Sequence, residues 1–138
     1  MFDGIAPSYD LLNHVLSFGV DRGWRRKAIG LLADRKVREV LDVATGTADM
    51  AIAIHRAMGC DVVGCDISPK MVEVGRKKVA DAGLEASIDL KVADSEALPF
   101  SSNRFDSVTV AFGVRNFANL DKGLAEMARV LKPGGRLV

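Results

Sequence analysis

Carboxylates recur where short apolar runs give way to turns: Asp42 in Val40-Leu41-Asp42-Val43, Asp66 closing Val62-Val63-Gly64-Cys65-Asp66, and Asp94, followed by Ser95, after Ile88–Ala93. Between the first two lies a loop of small residues, Ala44-Thr45-Gly46-Thr47-Ala48, leading into Asp49. Gly46 lets a ligand approach the backbone closely, and the alanines keep the loop free of bulk. The G-x-G-x-x-G fingerprint of dinucleotide sites is missing, because Gly46 alone of its three glycines is present.

Charge separates the candidate cofactors. A pyrophosphate needs uncompensated backbone N–H groups at a helix start, where a carboxylate repels it. Asp42 and Asp49 therefore disfavour a dinucleotide. S-adenosyl-L-methionine carries a sulfonium, an ammonium and a single carboxylate, and an acidic rim suits it. Asp49 has a second reading as a plain helix N-cap. Asp66 lies about 20 positions past the glycine loop, where a carboxylate can hold a ribose hydroxyl pair; its alternative is to cap the helix starting at Ser68-Pro69. Asp94-Ser95 could meet an adenine edge through the Asp94 carboxylate and the neighbouring backbone, although Asp-Ser is also common turn chemistry. Three such carboxylates at successive strand ends form a more specific pattern than any one of them.

These residues need a scaffold that brings strand ends together. From Val37 onward, β-branched runs alternate with helix-length amphipathic segments. Strands are predicted at Glu39–Val43, Asp61–Asp66, Ile88–Ala93 and Ser107–Ala111, and helices at Asp49–Met58, Pro69–Ala82 and Leu120–Leu131. This alternation predicts an α/β fold: a doubly wound, mainly parallel, Rossmann-like sheet with ligand at the carboxyl ends of its strands. Ser68-Pro69 reads as an N-cap with proline in the first helical position, and Gly83 as a helix stop. Upstream, residues 1–36 read as an N-terminal helical cover, with apolar stretches at Ile5–Leu16 and Asp21–Ala33, ahead of a core over 37–138. Lys132-Pro133-Gly134-Gly135 reads as a tight turn before a last strand starting at Arg136. The sequence stops as that fifth strand begins, so it reads as a piece of a longer domain. An unfinished sheet edge predicts pairing with a second copy, hence a homo-oligomer.

Composition narrows the function classes. The chain has 138 residues, 49% hydrophobic and 27% charged, which is enough for one domain with a real core. Its 19 basic and 18 acidic residues give a net charge of +1, which argues against a dedicated nucleic-acid surface. Cys60 and Cys65 read as buried small hydrophobes of a reducing compartment, and no Cys/His cluster suggests a metal. No apolar stretch approaches the roughly 20 residues that span a bilayer, and the polar start is unlike a secretory signal. A cytoplasmic location is expected. Basic residues gather at Arg22, Arg25, Arg26, Lys27, Arg35, Lys36 and Arg38. They read as a solvated helix face, with transient docking on anionic lipid as the alternative.

Four segments carry a resemblance to the ubiquinone/menaquinone biosynthesis C-methyltransferase family: Tyr9–Ser17 with Trp24, the loop Leu41–Asp49, Ala93–Phe100, and Phe112-Gly113-Val114-Arg115-Asn116. The end, Arg129–Gly135, resembles the start of the family's second signature. The loop and Leu-Lys-Pro-Gly-Gly occur across many methyltransferases, whereas Tyr9–Trp24 and Phe112–Asn116 are more specific to this family. The resemblance implies cofactor contacts at Thr47, Asp66, Asp94 and Ser95, and methylation of a polyprenylated quinol ring carbon. It implies catalytic roles for Arg115, Asn116 and Tyr9. An arginine stays protonated, so Arg115 is expected to stabilise a phenolate or hold a proton-accepting water, with Asn116 orienting that water. The family usually has glycine where this chain has Ala48, commonly histidine at Asp21, and sometimes a small polar residue at Ala111. Ala48 predicts a crowded loop. His14 in the N-terminal cover is a weaker candidate base, and His55 reads as a solvated helix residue. Methylation of another small molecule, or cofactor binding without turnover, remain the competing readings.

Overall fold

The computed structural model describes residues 26–27, 29–32, 36–110 and 119–138. Most of the expected N-terminal cover, and the segment Phe112–Asn116, lie outside the described residues. Five strands are present: β1 (Glu39–Val43), β2 (Asp61–Asp66), β3 (Ile88–Val92), β4 (Phe105–Val110) and β5 (Leu131–Leu137). Helices α1 (Asp49–Met58), α2 (Pro69–Asp81) and α3 (Leu120–Val130) alternate with them. The sheet runs in the order β3-β2-β1-β4-β5, and all its pairings are parallel. The order therefore reverses between β1 and β4, the place where open parallel sheets open a crevice for ligand.

Both faces of the sheet are covered, so successive residues of the central strands are buried on alternate sides, with Asp42, Ser107 and Thr109 as buried polar exceptions. Val40, Val62, Ile88 and Leu90 pack on one side with Ala51 and Ile54 of α1, Val72 and Val79 of α2, and Leu32. Leu41, Val43, Val63 and Val108 pack on the other with Met127 and Val130 of α3 and with Leu98 and Phe100. Arg129 of α3 fastens that last segment: its guanidinium donates to the carbonyls of Leu98 and Phe100, each at 2.9 Å, while forking onto Glu126.

The helix punctuation is chemical. Ser68 caps α2, its hydroxyl accepting from the Met71 N–H at 3.2 Å, with Pro69 in the first turn. Asn119 caps α3 in the same way, accepting from the Lys122 N–H at 3.1 Å. Gly59 ends α1 at φ 67 and Gly83 follows α2 at φ 70, left-handed positions that suit glycine. Strands β1 and β2 and helix α1 have the predicted bounds, α2, α3 and β3 each end one residue early, and β4 starts two residues early.

The carboxyl-terminal reading needs correction. Lys132–Gly135 is not a turn ahead of a strand but an irregular stretch inside β5. Phe105 pairs with Leu131 and Ser107 with Arg136, so Asp106 alone faces the whole Lys132–Gly135 stretch. Lys132 pairs with Asp106 at 3.1 Å, and a Cβ at Gly135 would lie 2.8 Å from the Asp106 carbonyl oxygen. The outer edge of the sheet at β5 thus carries Pro133 and a distortion. At the opposite edge, Arg76 donates to the Leu90 carbonyl of β3 at 2.8 Å. Both features work against strand addition at these two edges.

Candidate functional site

Asp42 sits inside the reversal point. It pairs in register with Thr109 of β4, whose hydroxyl donates to Asp42 Oδ1 at 2.7 Å. The Thr45 hydroxyl donates to Asp42 Oδ2 at 2.8 Å. Asp42 is 1% exposed and Thr109 0%, so this anion lies within the protein rather than on an open rim. Burial, only partly offset by the Thr109 and Thr45 hydrogen bonds and reinforced by the nearby Asp66 charge, pushes its carboxyl up to about 6. Burial likewise pushes the neighbouring Cys65 thiol up to about 12. Among the described residues no cation pairs with Asp42.

The loop after β1 folds through left-handed residues at Ala44 (φ 55), Gly46 (φ 59) and Ala48 (φ 74). Each alanine there costs about 1–2 kcal/mol relative to glycine in backbone strain. The Ala48 methyl does not crowd the open side. It is fully buried against α2, where a Cβ at Gly75 would lie 3.3 Å away. Gly64 makes room in the same manner, since a Cβ there would sit 2.8 Å from the Thr45 hydroxyl. At Gly46 a Cβ would meet nothing within 4 Å, so the backbone faces open space.

Of the two readings of Asp66 the structure bears on the second: its carboxylate is held by backbone N–H groups beside the start of α2, although Ser68 itself is the N-cap. Its Oδ2 accepts from the Gly46 N–H at 2.9 Å, and its Oδ1 from the Ser68 N–H at 3.0 Å. The carboxylate is half-buried, with the glycine loop on one side and the start of α2 on the other. Ile67, next in the chain, is 65% exposed. The Ala93 N–H donates to the Asp66 carbonyl at 2.9 Å, which draws the end of β3 to the same edge. Asp94 makes the turn chemistry of its alternative reading: its Oδ1 accepts from the Glu96 N–H at 2.9 Å. Asp94 is exposed and Ser95 half-buried.

Asp49 is not an N-cap. Ala48 holds that position with no side-chain cap, and Asp49 pairs with Lys78 of α2 at 3.0 Å. Lys78 also donates to the Thr47 hydroxyl at 2.9 Å, so Thr47 is buried and tied to α2. His55 is half-buried rather than solvated, and its Nδ1 lies 2.8 Å from the Cys60 carbonyl oxygen. Both cysteines are buried and free, as expected.

The structure therefore brings Asp42, Gly46, Thr47 and Asp66 together at one edge, with Asp94 and Ser95 at the end of the adjoining strand. Tyr9, Arg115 and Asn116 lie outside the described residues, as does His14. In chain order Arg115 and Asn116 fall between the end of β4 and the start of α3. Lys36 and Arg38 precede β1, at the end of the sheet opposite this edge. Sequence reasoning missed Thr45, Thr109, Lys78 and Ile67. The apolar residue between Asp66 and Ser68, unused by any helix face, was the one available signal. Among the described residues no cluster of three or more His, Cys, Asp or Glu could hold a metal, and no helix is long and apolar enough to cross a membrane.

The site suits a cation-bearing nucleoside. It offers a buried anion without a cationic partner among the described residues, a carboxylate fixed by two N–H donors, an open backbone at Gly46 and an exposed apolar side chain.

The model of the ubiE/COQ5 methyltransferase family matches residues 1–138. A demethylmenaquinone methyltransferase of Bacteroides fragilis is 55% identical over 139 residues, covering 100% of this chain and 57% of that protein. A ubiquinone/menaquinone biosynthesis C-methyltransferase UbiE of Geotalea daltonii is 50% identical over 140 residues, covering 100% of this chain and 60% of its own. The chain thus spans about three-fifths of the length of these relatives. Among solved structures, a Methanococcus maripaludis protein proposed to be an S-adenosyl-L-methionine-dependent methyltransferase superposes with a TM-score of 0.88. That match covers 98% of this chain and 61% of the other at 21% identity, a likeness of fold.

Proposed function

This chain belongs to the ubiE/COQ5 methyltransferase family, and from that membership we propose that it binds S-adenosyl-L-methionine and takes part in C-methylation of a polyprenylated quinol. The observation that carries the reading is the loop at the carboxyl edge where the strand order reverses: its Thr45 hydroxyl is bonded to Asp42 and its Gly46 N–H to Asp66. The relatives are named for demethylmenaquinone and for ubiquinone/menaquinone biosynthesis, which supports a naphthoquinol or benzoquinol ring as the acceptor here.

When bound, the cofactor supplies a methyl group on a positively charged sulfur and leaves as S-adenosyl-L-homocysteine. Asp66 would accept from the ribose hydroxyls on lone pairs not used by Gly46 and Ser68. Ile67 and the Asp94-Ser95 turn would flank the adenine, and Thr47 would close the loop side. Asp42, buried behind the loop, would balance the cofactor's ammonium group through the protein interior, where low dielectric strengthens the attraction. Arg115 would favour the ionised quinol hydroxyl and thereby raise nucleophilicity at the ring carbon. Asn116 and Tyr9 would hold the water that takes the proton. Alignment in a dry site supplies most of the acceleration for such a displacement.

Calorimetric titration with S-adenosyl-L-homocysteine against NAD tests the cofactor: tight NAD binding alone would overturn it. For the reaction, the full-length protein is assayed with demethylated naphthoquinol and benzoquinol acceptors. Arg115→Ala should abolish most turnover there while leaving cofactor affinity intact. Unchanged turnover would favour a different small-molecule acceptor. A polyprenyl acceptor resides in membrane, so we place the protein in the cytoplasm with transient contact at the membrane surface. Sedimentation with anionic vesicles tests that contact, and light scattering across concentration tests self-association.

A further inference from the structure

The mechanism above uses Asp42 but not the side chains that hold it. Two neutral hydroxyls, one from the loop and one from β4, take one carboxylate oxygen each. Thr109 is the residue directly opposite Asp42 in the β1–β4 pairing and the last but one of β4. Beyond Val110 the chain continues to Arg115 and Asn116 before α3 begins. The bridge Thr45–Asp42–Thr109 therefore spans the seam at which the strand order reverses, with the cofactor loop at one end and the strand leading to the substrate segment at the other. Gly64 leaves the space that Thr45 occupies, so the hydroxyl is held toward Asp42 by packing.

We propose that Thr109 is a positioning residue for the cofactor: its hydroxyl, donated across the seam, fixes the orientation and charge of the buried Asp42 carboxylate, whose field attracts the cofactor's ammonium group. The inference rests on the cofactor reading above. Its physical content is the balance around Asp42. Facing the carboxylate are the Asp66 charge and the neutral Cys65 thiol from β2, the Thr45 hydroxyl from the loop and the Thr109 hydroxyl from β4. Donors to an anion favour the ionised form, and the two threonines offset part of what burial and Asp66 impose. Removing the Thr109 donor leaves the shape of the seam intact with valine but raises the carboxyl further, so the anion is lost at a higher pH.

The test compares wild type with Thr109→Val and Thr109→Ser by calorimetric titration of S-adenosyl-L-homocysteine from pH 5 to 8.5. In wild type, affinity should fall as pH drops through about 6. Thr109→Val should bind about tenfold more weakly at pH 7, with the fall-off displaced upward by about one pH unit. Thr109→Ser, which keeps the donor, should restore both affinity and profile. Wild-type affinity and profile in Thr109→Val would overturn the proposal. So would equal weakening of both variants without displacement of the profile, which marks a packing role. If wild type itself fails to bind at any pH, the cofactor reading falls and this inference with it.

Discussion

Replacing Asp42 with asparagine should make this protein more stable at neutral pH and worse at holding its cofactor. The unfolded chain ionises Asp42 near the ordinary carboxylate value of 3.8, whereas the folded protein retains the proton until about 6. Below 3.8 both states are protonated and the group carries no penalty. As pH rises toward 6 the unfolded state ionises first, so stability falls, and above 6 the full penalty persists. At about 1.4 kcal/mol per pH unit, the interval corresponds to about 3 kcal/mol by pH 7.5. Asparagine removes that penalty but cannot accept both threonine hydroxyls. Its amide nitrogen needs Thr45 or Thr109 to turn and accept, at a cost of about 1 kcal/mol. The expected net gain is about 2 kcal/mol at pH 7.5, disappearing by pH 4. Urea unfolding of both proteins, followed by circular dichroism across pH 4 to 8, measures it. The difference between the two curves cancels the other carboxylates. A difference that stays flat with pH, or a variant less stable at pH 7.5, would refute the reasoning. Calorimetry on the same samples should show at least tenfold weaker binding of S-adenosyl-L-homocysteine, because the compensating anion is gone.

Gly64→Ala places a methyl 2.7 Å from Leu90 Cδ2 and 2.8 Å from Thr45 Oγ1, and should cost about 1–3 kcal/mol in a denaturant titration; an unchanged midpoint would show that the loop yields freely. Cys60 and Cys65 are buried with raised thiols, so Ellman's reagent should label neither before unfolding. Rapid labelling of the native protein would contradict the packing of β2. Hydrogen bonds from Arg129, outweighing burial and joined by the Leu98 N–H, hold the Glu126 carboxyl below its usual 4.5. That stabilisation is present above 4.5 and lost as pH falls through the lowered value. Arg129→Lys should therefore reduce the urea midpoint more at pH 7 than at pH 3, and an equal reduction at both would assign the loss to packing alone.

Local chemistry made most elements legible before any coordinates. Ser68-Pro69 and Gly83 bracket α2 because capping and left-handed stops are decided by neighbours within a few residues. The runs Glu39–Val43 and Asp61–Asp66 read as strands because a sheet buried on both faces favours short β-branched, mainly apolar runs, with Asp42 the buried exception. Lys132–Gly135 misled because Pro-Gly-Gly signals a turn locally, while pairing of Leu131 and Arg136 with β4 absorbs it as an irregularity. That outcome depends on Asp106, a residue distant in sequence, and no local window contains it.

The sequence by itself determined that carboxylates would stand at successive strand ends around a small-residue loop, because period and composition fix where strands stop. It also placed Gly46 and Asp66 in that neighbourhood. Only the tertiary structure decided what those groups face. Asp42 turns inward to Thr109, 67 positions away, and Asp66 is held by Gly46, 20 positions away. Thr47 is tied to Lys78 across 31 positions. Hydrogen bonds of this range exist only once the strand order is set, and burial, which sets the charge of Asp42, is a property of the assembled sheet rather than of any residue in it.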